Sequence, residues 1–505
     1  MNMSALLLAI DCGTQSLRAL IFDGEGHLLA REKVAYEPYF SDQPGWAEQD
    51  AEIYWQSLCE ACANLKTRQP ELFSQIAGLA VTAQRNTVIN VDSAGVPLRP
   101  AITWLDQRKA ERRAKLAVAI LQKEAKINWL RQHQQEIWKR THKVLQVSAF
   151  LNQRLTGEFR DSVASQIGHV PFDNKKRRWS PPGDFKSVLF KVESEKLVDL
   201  VEPGEELGSV SAEAEAATGL PAGLPVIAAG SDKGCETLGT GCLECSAASL
   251  SFGTTATVQT ASRRYVEPIR FMPAYVAPVP GFYNPEVQIF RGYWMTSWFK
   301  KEFGSREMVQ AQQEGIAPEE LLNRLLRTVP PGSMGLMLQP FWGPGLKMPE
   351  AKGAMIGFGD IHNRAHMYRA VIEGLGYALL DGLARIEAVC KTPVKKLYVS
   401  GGGSQSDDIC QITADMFNRP VYRGETSEAS GLGAAIVAAV GLGLHPDFPA
   451  AVAAMVRHER EFLPDPERAK IYQQLYNRVY RRMYKTLRPL YNEIREILNY
   501  PEKVE

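Results

Sequence analysis

Two short turns, about half the chain apart, carry the residue types that hold phosphate. The first turn spans residues 11–16 and contains Gly13-Thr14, and the second contains Gly253-Thr254. Backbone N–H groups in tight glycine turns bind anions, and threonine hydroxyls add donors to phosphate oxygens. Two such turns on opposite sides of a cleft would bind one polyphosphate between them, although a single Gly-Thr turn also occurs in ordinary hairpins.

A third glycine cluster, at residues 401–403, lies between an apolar run at 396–399 and a helical pattern at 407–417. A strand that ends in glycines before a helix lets a ligand approach the backbone and the helix N-terminus. This arrangement suits the base or the sugar of a nucleotide. The alternative is a tight strand-to-helix turn that binds nothing.

Two acidic residues stand where phosphate transfer would need them. Asp11 begins the first turn, whereas the matching position of the second turn is Ser251. One carboxylate beside bound phosphates suits Mg²⁺, which usually keeps several waters. Asp232 follows an apolar run at 224–229, and an aspartate at the end of a buried strand can act as general base to a hydroxyl. The alternative for Asp232 is a turn or helix N-cap residue.

The segments around these residues predict a layered α/β structure. Three apolar runs between residues 6 and 34, separated by turns, predict three consecutive strands. Helical patterns at 51–65 and 110–122 then alternate with a strand pattern at 76–82, as in α/β folds. No Rossmann or P-loop glycine motif follows a strand.

The second Gly-Thr turn lies 240 positions after the first, and each turn follows an apolar run. Two halves that share a strand, a Gly-Thr turn and a strand indicate an internal structural repeat with a cleft between the halves. We expect a boundary near residue 247, with one domain over residues 1–247 and a second over residues 248–505.

Composition limits the class of partner. The chain has 505 residues and a formal net charge of +1, with 58 Lys and Arg against 57 Asp and Glu. This length predicts two or more domains, and the balanced charge disfavours nucleic acid or an acidic membrane as partner. The apolar stretch at 431–444 is shorter than the roughly 20 residues of a membrane helix, and the first residues lack the basic region of a signal peptide. Eight cysteines without paired Cys/His zinc spacing predict reduced thiols in a cytoplasmic protein.

Residues 464–498 form a long helical pattern with a tyrosine every four residues, at Tyr472, Tyr476, Tyr480 and Tyr484. An aromatic stripe of this kind favours packing of the helix on its own domain. The alternative is a docking face for a partner, such as a second copy in a homodimer.

Nine short motifs, in order along nearly the whole chain, resemble those of the FGGY carbohydrate kinases, a family within the actin-like ATPase superfamily. The Gly-Trp-x-Glu-Gln-Asp element within residues 44–50 separates this family from other actin-like ATPases. The nine motifs lie at residues 11–18, 44–50, 104–108, 155–158, 230–232, 251–255, 369–374, 401–403 and 431–435.

The resemblance implies an α/β fold of two ribonuclease-H-like domains, with ATP and a sugar or polyol in the cleft between them and Mg²⁺ as cofactor. Asp232 then corresponds to the catalytic base, and Asp11 to the acid that holds the metal through water. The implied ATP-binding positions are Thr14, Gln15, Ser16, Arg18, Gly253, Thr254, Gly402 and Ser406. The implied substrate-binding positions are Gln84, Arg85, Asn86, Trp104, Asp232 and Lys233.

Departures from the family pattern leave the substrate open. Asn86 stands where glycerol kinases have glutamate, and Lys233 stands where they have glutamine. The Gln-Met-His-Gly motif of xylulokinases is absent too, and the substrate tyrosine of glycerol kinases has no clear counterpart. A buried unmatched hydrogen-bonding group costs about 1–3 kcal/mol, so such exchanges can change substrate choice. Lys233 would attract a carboxylate or phosphate of the substrate, or else point to solvent.

The predicted activity is ATP-dependent phosphorylation of a terminal hydroxyl of a small sugar or polyol, with domain closure that excludes water. Glycerol and a ketose such as xylulose or ribulose are both candidate substrates. One alternative is an actin-like ATPase or sugar-sensing module, which would need neither Asp232 nor the cluster of Trp104, Asp106 and Arg108. A relative that has lost catalysis is a third alternative, and the presence of Asp11, Arg18 and Asp232 argues against it.

Overall fold

The structure is a computed structural model, and it describes residues 5–111, 119–342, 348 and 350–500. The strands within these residues are, in chain order, β1 (Leu6–Cys12), β2 (Ser16–Phe22), β3 (Leu28–Ala35), β4 (Glu48–Gln49), β5 (Ile76–Ala83), β6 (Ile89–Val91), β7 (Ala101–Ile102), β8 (Lys143–Leu145), β9 (Arg160–Ser162), β10 (Phe172–Asp173), β11 (Arg178–Trp179), β12 (Asp199–Val201), β13 (Glu206–Ser209), β14 (Pro225–Ile227), β15 (Ala247–Phe252), β16 (Ala256–Gln259), β17 (Tyr275–Val276), β18 (Tyr283–Asn284), β19 (Glu286–Ile289), β20 (Met337–Gln339), β21 (Ala354–Ile356), β22 (Lys396–Ser400), β23 (Val421–Gly424) and β24 (His458–Phe462).

The helices are, in chain order, α1 (Glu52–Arg68), α2 (Pro70–Phe73), α3 (Ala119–Glu124), α4 (Lys126–His133), α5 (Gln135–Arg140), α6 (Val147–Thr156), α7 (Phe185–Leu189), α8 (Ala212–Thr218), α9 (Asp232–Gly239), α10 (Trp294–Phe303), α11 (Ser305–Glu314), α12 (Pro318–Leu326), α13 (Arg364–Cys390), α14 (Asp407–Phe417), α15 (Ala429–Gly441), α16 (Phe448–Met455), α17 (Pro466–Leu475) and α18 (Arg481–Leu498).

The first half of the chain builds a six-stranded sheet in the order β13-β14-β5-β1-β2-β3. β1 and β2 form an antiparallel hairpin whose register pairs Asp11 with Arg18, and β3 lies antiparallel to β2. β5 and then β14 add parallel strands on the other side of β1. The predicted strands at the start of the chain and at 76–82 are confirmed, because their apolar residues form the buried centre of this sheet.

The second half builds a six-stranded sheet in the order β19-β16-β15-β22-β23-β24. The hairpin β15–β16 and the antiparallel strand β19 are followed, on the other side of β15, by the parallel strands β22 and β23. Five strands of each sheet therefore share one order and one set of directions. Both Gly-Thr turns join the first two strands of their sheets, which is the repeat that the sequence predicts.

A helix from late in the chain covers one face of the first sheet. α15 packs on α9 and on strands β1 and β5. The apolar side chains of α15 lie in one buried cluster with Leu7 and Leu20 of the first hairpin. The core of the first sheet therefore includes residues that lie, in sequence, between β23 and β24 of the second sheet.

Two glycines bring α9 and α15 into backbone contact. A Cβ atom on Gly433 would lie 1.9 Å from the carbonyl oxygen of Cys235. A Cβ atom on Gly239 would lie 2.0 Å from the carbonyl oxygen of Ala429. Real Cβ atoms do not approach a backbone oxygen this closely, so the crossing of the two helices requires glycine at both positions.

The predicted helix at 464–498 is observed as α17 and α18, joined by a wider π turn at residues 476–480. Tyr476 and Tyr480 are buried, with ring centroids 6.3 Å and 5.1 Å from the ring of Tyr377 in α13. The buried Tyr472 hydrogen-bonds Arg369 and Glu373 of the same helix. Packing of the stripe on its own domain is therefore confirmed.

The predicted helix at 110–122 is tested only in part, because residues 112–118 lie outside the described residues. Residues 110 and 111 are not helical, and α3 begins at Ala119. In the part of the chain that the structure describes, no helix combines the length and the apolar character needed to cross a membrane.

Because α9 and α15 are in backbone contact, one methyl group added where they cross should have a large effect on stability. We expect Gly433→Ala to lower the free energy of unfolding by about 2 kcal/mol or more, because the helices must separate to admit the Cβ atom. Urea unfolding followed by circular dichroism measures this loss. Gly24→Ala is the matched control, since a Cβ atom there would meet nothing within 4 Å, and an equal loss in both variants would contradict the expectation.

Candidate active site

A cavity of about 820 Å³ is lined by residues from both halves of the chain. The predicted positions that line it are Thr14, Gln84, Arg85, Asn86, Trp104, Asp232, Lys233 and Thr254. The other predicted positions lie outside the described lining of this cavity, and they are Asp11, Gln15, Ser16, Arg18, Gly253, Gly402 and Ser406. The structure therefore brings the first and second Gly-Thr turns and the substrate-side residues to one site.

The first turn is tied to the substrate side through the Thr14 hydroxyl. Thr14 Oγ1 donates to Gln84 Oε1 at 3.0 Å and accepts from Trp104 Nε1 at 2.9 Å. Gln84 Nε2 in turn donates to the hydroxyl of buried Tyr54 at 3.2 Å. The turn itself closes by a hydrogen bond from the Gly13 N–H to the Ser16 carbonyl at 3.0 Å. One hydrogen-bond chain thus positions both the first Gly-Thr turn and two of the residues predicted to bind substrate.

Asp232 is the first residue of α9, and its carboxylate faces the cavity. The N-cap of α9 is Ser231, whose hydroxyl accepts from the Gly234 N–H at 3.3 Å, so the N-cap interpretation of Asp232 is wrong. Asp232 Oδ1 accepts from the Lys233 N–H at 2.8 Å and lies 3.8 Å from Arg85 Nε. Burial raises the pKa of Asp232, and the cations of Arg85 and Lys233 oppose that rise.

Lys233 does not point to solvent. Its ammonium donates to Glu236 Oε2 and to Ser251 Oγ, both at 2.7 Å. Glu236 also accepts from the Ser251 and Ser400 hydroxyls at 2.8 Å and 2.7 Å. Burial alone would raise the pKa of Glu236, but the Lys233 ammonium and these hydrogen bonds hold it below its ordinary value. The Lys233 ammonium is therefore part of a buried ion pair with Glu236 beneath the second hairpin.

Arg85 forms an ion pair that joins the two halves across the cavity. Its two terminal nitrogens donate to the two carboxylate oxygens of Glu286 on β19, both at 3.0 Å. The guanidinium also lies over the ring of Tyr275, 5.1 Å from the centroid. Gln259 donates to the same Glu286 carboxylate. A planar bidentate pair of this kind fixes the orientation of Arg85 beside Asp232.

Asp11 lies at the end of β1 in a network of alternating charges. Arg18 donates to Asp11 Oδ2 at 3.0 Å and lies 3.5 Å from Glu428, which also pairs with Arg31 at 3.1 Å. Burial raises the pKa of Asp11 to about 6, Arg18 opposes the rise, and the carboxylates of Asp232 and Glu428 add to it. Arg18 is therefore committed to two carboxylates, one of them from the second half of the chain.

Asn86 takes a left-handed backbone conformation, with φ of 57°. Asparagine tolerates this region better than most residues. The Asn86 N–H donates to the Ile167 carbonyl at 3.2 Å. The amide at this position is therefore held against the loop that follows β9.

The third glycine cluster has one open face. Gly401 has φ of 82°, and a Cβ atom there would lie 2.9 Å from the backbone of Phe252, whereas a Cβ atom on Gly402 would meet nothing within 4 Å. Ser406 is the N-cap of α14, and its hydroxyl accepts from the Ile409 N–H at 3.4 Å. Gly402 thus leaves room for a ligand, while the Ser406 side chain serves the helix.

Most of the chain matches one family. Residues 6–239 match the N-terminal domain of the FGGY family of carbohydrate kinases, and residues 248–442 match its C-terminal domain. The chain belongs to this family. It is a carbohydrate kinase, and the two-domain fold of the family, of the actin-like ATPase type, is the fold described above.

Several relatives align over almost the full length of this kinase. The sugar kinase YgcE of Escherichia coli K12 is 31% identical over 93% of this chain and 91% of its own length. The xylulose kinase of Lactococcus lactis is 28% identical over 93% of this chain and 95% of its own length. The crystal structure of the xylulose kinase from Rhodospirillum rubrum superposes with a TM-score of 0.81 at 26% identity, covering 96% of this chain and 100% of that one.

Sequence reasoning missed three glutamates of the kinase site. Glu236 pairs with Lys233 at i,i+3 on α9, and this helical spacing was a usable signal. Glu286 and Glu428 pair with Arg85 and Arg18, which lie far away in sequence. No local pattern marks such partners, because only the fold brings them together.

The raised pKa of Asp11 predicts a pH-dependent effect of Asp11→Asn. Because the pKa rises from 3.8 in the unfolded chain to about 6, the folded protein binds a proton more tightly than the unfolded chain does. Wild type therefore loses stability, relative to Asp11→Asn, as the pH rises from about 4 through 6, by about 2–3 kcal/mol in total. Urea unfolding of both proteins in the absence of nucleotide across this range measures the difference.

Asp23→Asn is the control for the direction in which stability changes with pH. Partial burial alone would raise the pKa of Asp23, but hydrogen bonds from His27 lower it. Its contribution to stability is therefore present at neutral pH and lost as the pH falls. A wild-type advantage over Asp11→Asn that grows with rising pH would contradict the environment described for Asp11.

Proposed function

We propose that this kinase transfers the γ-phosphate of ATP to a terminal hydroxyl of a small sugar or polyol, with Asp232 as general base. The observation that carries the proposal is the position of the Asp232 carboxylate. It lines a cavity that both Gly-Thr turns also reach, and its side chain is 27% exposed there. A raised pKa brings a carboxylate closer to the value at which it best accepts a hydroxyl proton.

The residues on the phosphate side would bind ATP from two directions. In the first turn, the N–H groups of Thr14 and Gln15 have no hydrogen-bond partner within the described part of the chain, and they are the donors proposed for phosphate. Ser16 and Arg18 continue the same hairpin. Gly253 and Thr254 would bind phosphate oxygens from the second hairpin.

The adenosine side of the site is proposed at the third glycine cluster. The open face of Gly402 would contact the nucleoside, and the N-terminus of α14 at Ser406 adds its partial positive charge nearby. Because the Ser406 hydroxyl already caps the helix, we propose a backbone contact there.

Asp11 fits a Mg²⁺ ion held through water. Its Oδ2 accepts from Arg18, and no hydrogen bond from a described residue reaches its Oδ1. Within the described residues no set of three or more His, Cys, Asp or Glu side chains is grouped as a metal site, which agrees with an ion that takes most ligands from water and phosphate. Bound with ATP, Mg²⁺ would neutralise charge on the transferred group.

The substrate would lie between Asp232 and the residues Arg85, Asn86 and Trp104. Arg85 is held by Glu286, so its Nε side remains directed towards Asp232. Trp104 is fixed by Thr14, and Gln84 supports the same hydroxyl. These contacts would orient a hydroxyl towards the Asp232 carboxylate and limit access of water.

Domain closure is proposed about a boundary near residue 247, between domains 1–247 and 248–505. The family matches that end at residue 239 and begin at residue 248 support this division. The Arg85–Glu286 pair joins the two halves of the chain and would tighten as the domains close. Contacts of α15 with the first sheet mean that part of the second half moves with the first domain.

The relatives support a small sugar as the substrate class, but their names do not single out one sugar for this chain. Those that align over the full length include xylulose kinases and an autoinducer-2 kinase of Escherichia coli. We keep both glycerol and a ketose as candidates for this chain.

For location and assembly, we propose a cytoplasmic enzyme, which the free thiols of its cysteines support. We also propose a homodimer, which the exposed Leu490 and Ile497 of α18 support and light scattering would test.

Replacing the proposed base tests the mechanism. We expect Asp232→Asn to lower kcat by about 100-fold or more, because the acceptor hydroxyl loses its proton acceptor. Binding of ATP, measured by calorimetry, should stay within about threefold of wild type. Asp360→Asn is the matched control on an exposed loop, and unchanged turnover of Asp232→Asn would remove Asp232 as the base.

A panel of polyols and ketoses with an ADP-release assay tests the activity itself. We expect at least one compound to raise the rate of ADP release well above the basal hydrolysis of ATP. Persistent basal hydrolysis that no compound stimulates would instead indicate an ATPase or sugar-sensing module.

A further inference from the structure

One wall of the cavity is formed by the loop after β9, in which no residue was predicted to bind substrate. Ile167, Gly168 and His169 line the cavity from this loop, and Asn174 joins them from the turn after β10. Besides the hydrogen bond from the Asn86 N–H to Ile167, a Cβ atom on Gly168 would lie 2.6 Å from Asn86 Oδ1. Gly168, with φ of 137°, therefore lets the loop lie directly against a substrate-side residue.

His169 offers the cavity a hydrogen-bond acceptor. Its Nδ1 is buried and has no hydrogen-bond partner among the described residues, while the ring also hydrogen-bonds the backbone of Glu124. Burial, together with the ammonium groups of Lys126 and Lys109, lowers the pKa of His169 to about 3. The ring is neutral at physiological pH, so one nitrogen donates and the other accepts. In the tautomer that carries its proton on Nε2, the unpartnered Nδ1 is an acceptor for a ligand O–H group.

Asn174 offers a second acceptor on the same wall. The residue is 5% exposed, and its Oδ1 is buried with no hydrogen-bond partner in the described chain. A buried acceptor without a donor carries a free-energy cost equivalent to about a 5- to 100-fold change in an equilibrium constant. Two such acceptors beside one cavity are explained if the bound molecule supplies O–H donors to both.

The charges around the cavity favour an uncharged ligand. Arg85 and Lys233, the two cations nearest Asp232, are paired with Glu286 and Glu236. Farther along the lining, the Lys186 ammonium donates to the Phe172 carbonyl at 2.7 Å. The Arg270 guanidinium lies over the ring of Phe271, and Glu267 also lines this part of the cavity. A carboxylate or phosphate on the substrate would therefore meet three lining carboxylates, those of Glu124, Asp232 and Glu267, and few cations that are not already paired or hydrogen-bonded.

We propose that His169 and Asn174 bind hydroxyl groups on substrate carbons other than the one that is phosphorylated, and so select an uncharged open-chain sugar or polyol with four or more hydroxyls. The minimum of four hydroxyls follows from the number of acceptors, since glycerol has only three O–H groups. The four acceptors are the carboxylate of Asp232, Asn86 Oδ1, His169 Nδ1 and Asn174 Oδ1. This inference rests on the proposed function, because it assumes that the same cavity holds the sugar.

Calorimetric binding of a chain-length series tests the proposal. The probes are glycerol, erythritol, xylitol, ribitol, D-xylulose, D-ribulose and D-gluconate. We expect wild type to bind one of the uncharged four- or five-carbon compounds most tightly. His169→Phe and Asn174→Leu should each raise the Kd for that compound at least about fivefold, because a hydroxyl loses its acceptor.

Three further variants separate recognition from folding. His169→Asn places an amide oxygen near the position of Nδ1 and should bind more tightly than His169→Phe. His142→Phe is the matched control, since His142 packs edge-on against Phe159 outside the described cavity lining. Asn174→Asp keeps an oxygen acceptor and should bind an uncharged ligand more tightly than Asn174→Leu.

Several outcomes would overturn the proposal. One is that glycerol or D-gluconate binds wild type most tightly. Another is that the Kd stays within twofold of wild type in both His169→Phe and Asn174→Leu. The third is that no probe binds wild type. Because binding is measured without turnover, failure of this proposal can be distinguished from failure of the proposed function. Sugar binding that depends on His169 and Asn174, without sugar-stimulated ADP release, would support this wall and refute the kinase mechanism.

Discussion

The ion pair between Arg85 and Glu286 is the interaction on which the arrangement of the site depends. It joins a residue that follows the central parallel strand of the first sheet to an edge strand of the second, across the cavity. Because both groups are buried, removing either partner would leave an uncompensated charge in a low-dielectric setting. The pair therefore holds the two Gly-Thr turns on opposite sides of one space and directs Arg85 towards Asp232.

Other charged side chains near Asp232 are paired in a similar way. Lys233 is neutralised by Glu236, and Arg18 is shared between Asp11 and Glu428. These pairs leave Asp232 as a partly exposed carboxylate on the cavity wall. In a site built in this way, the electrostatics are set by the protein's own groups before any ligand binds.

Much of the fold follows from local pattern. The apolar runs of β1, β2 and β5 and the glycine-ended strand β22 were predicted because burial on both faces demands unbroken apolar residues. The covering of the first sheet by α15 was not predicted, since Gly239 and Gly433 are close only in the folded chain. Around the cavity, Thr14 and Asp232 were predicted from a turn and a strand end, and Arg85 from the family resemblance, whereas Glu286, Glu428 and His169 were not predicted.

The sequence by itself determined the family and the α/β architecture, and it predicted residue types suited to binding phosphate, because turns, strand periodicity and motifs are properties of adjacent residues. Only the tertiary structure decided which partner each charged side chain contacts. Lys233 lies against Glu236 rather than in solvent, and Arg18 is divided between two carboxylates. Whether a side chain binds a ligand or another side chain depends on which groups long-range packing brings within hydrogen-bond distance, and sequence neighbours carry no record of that.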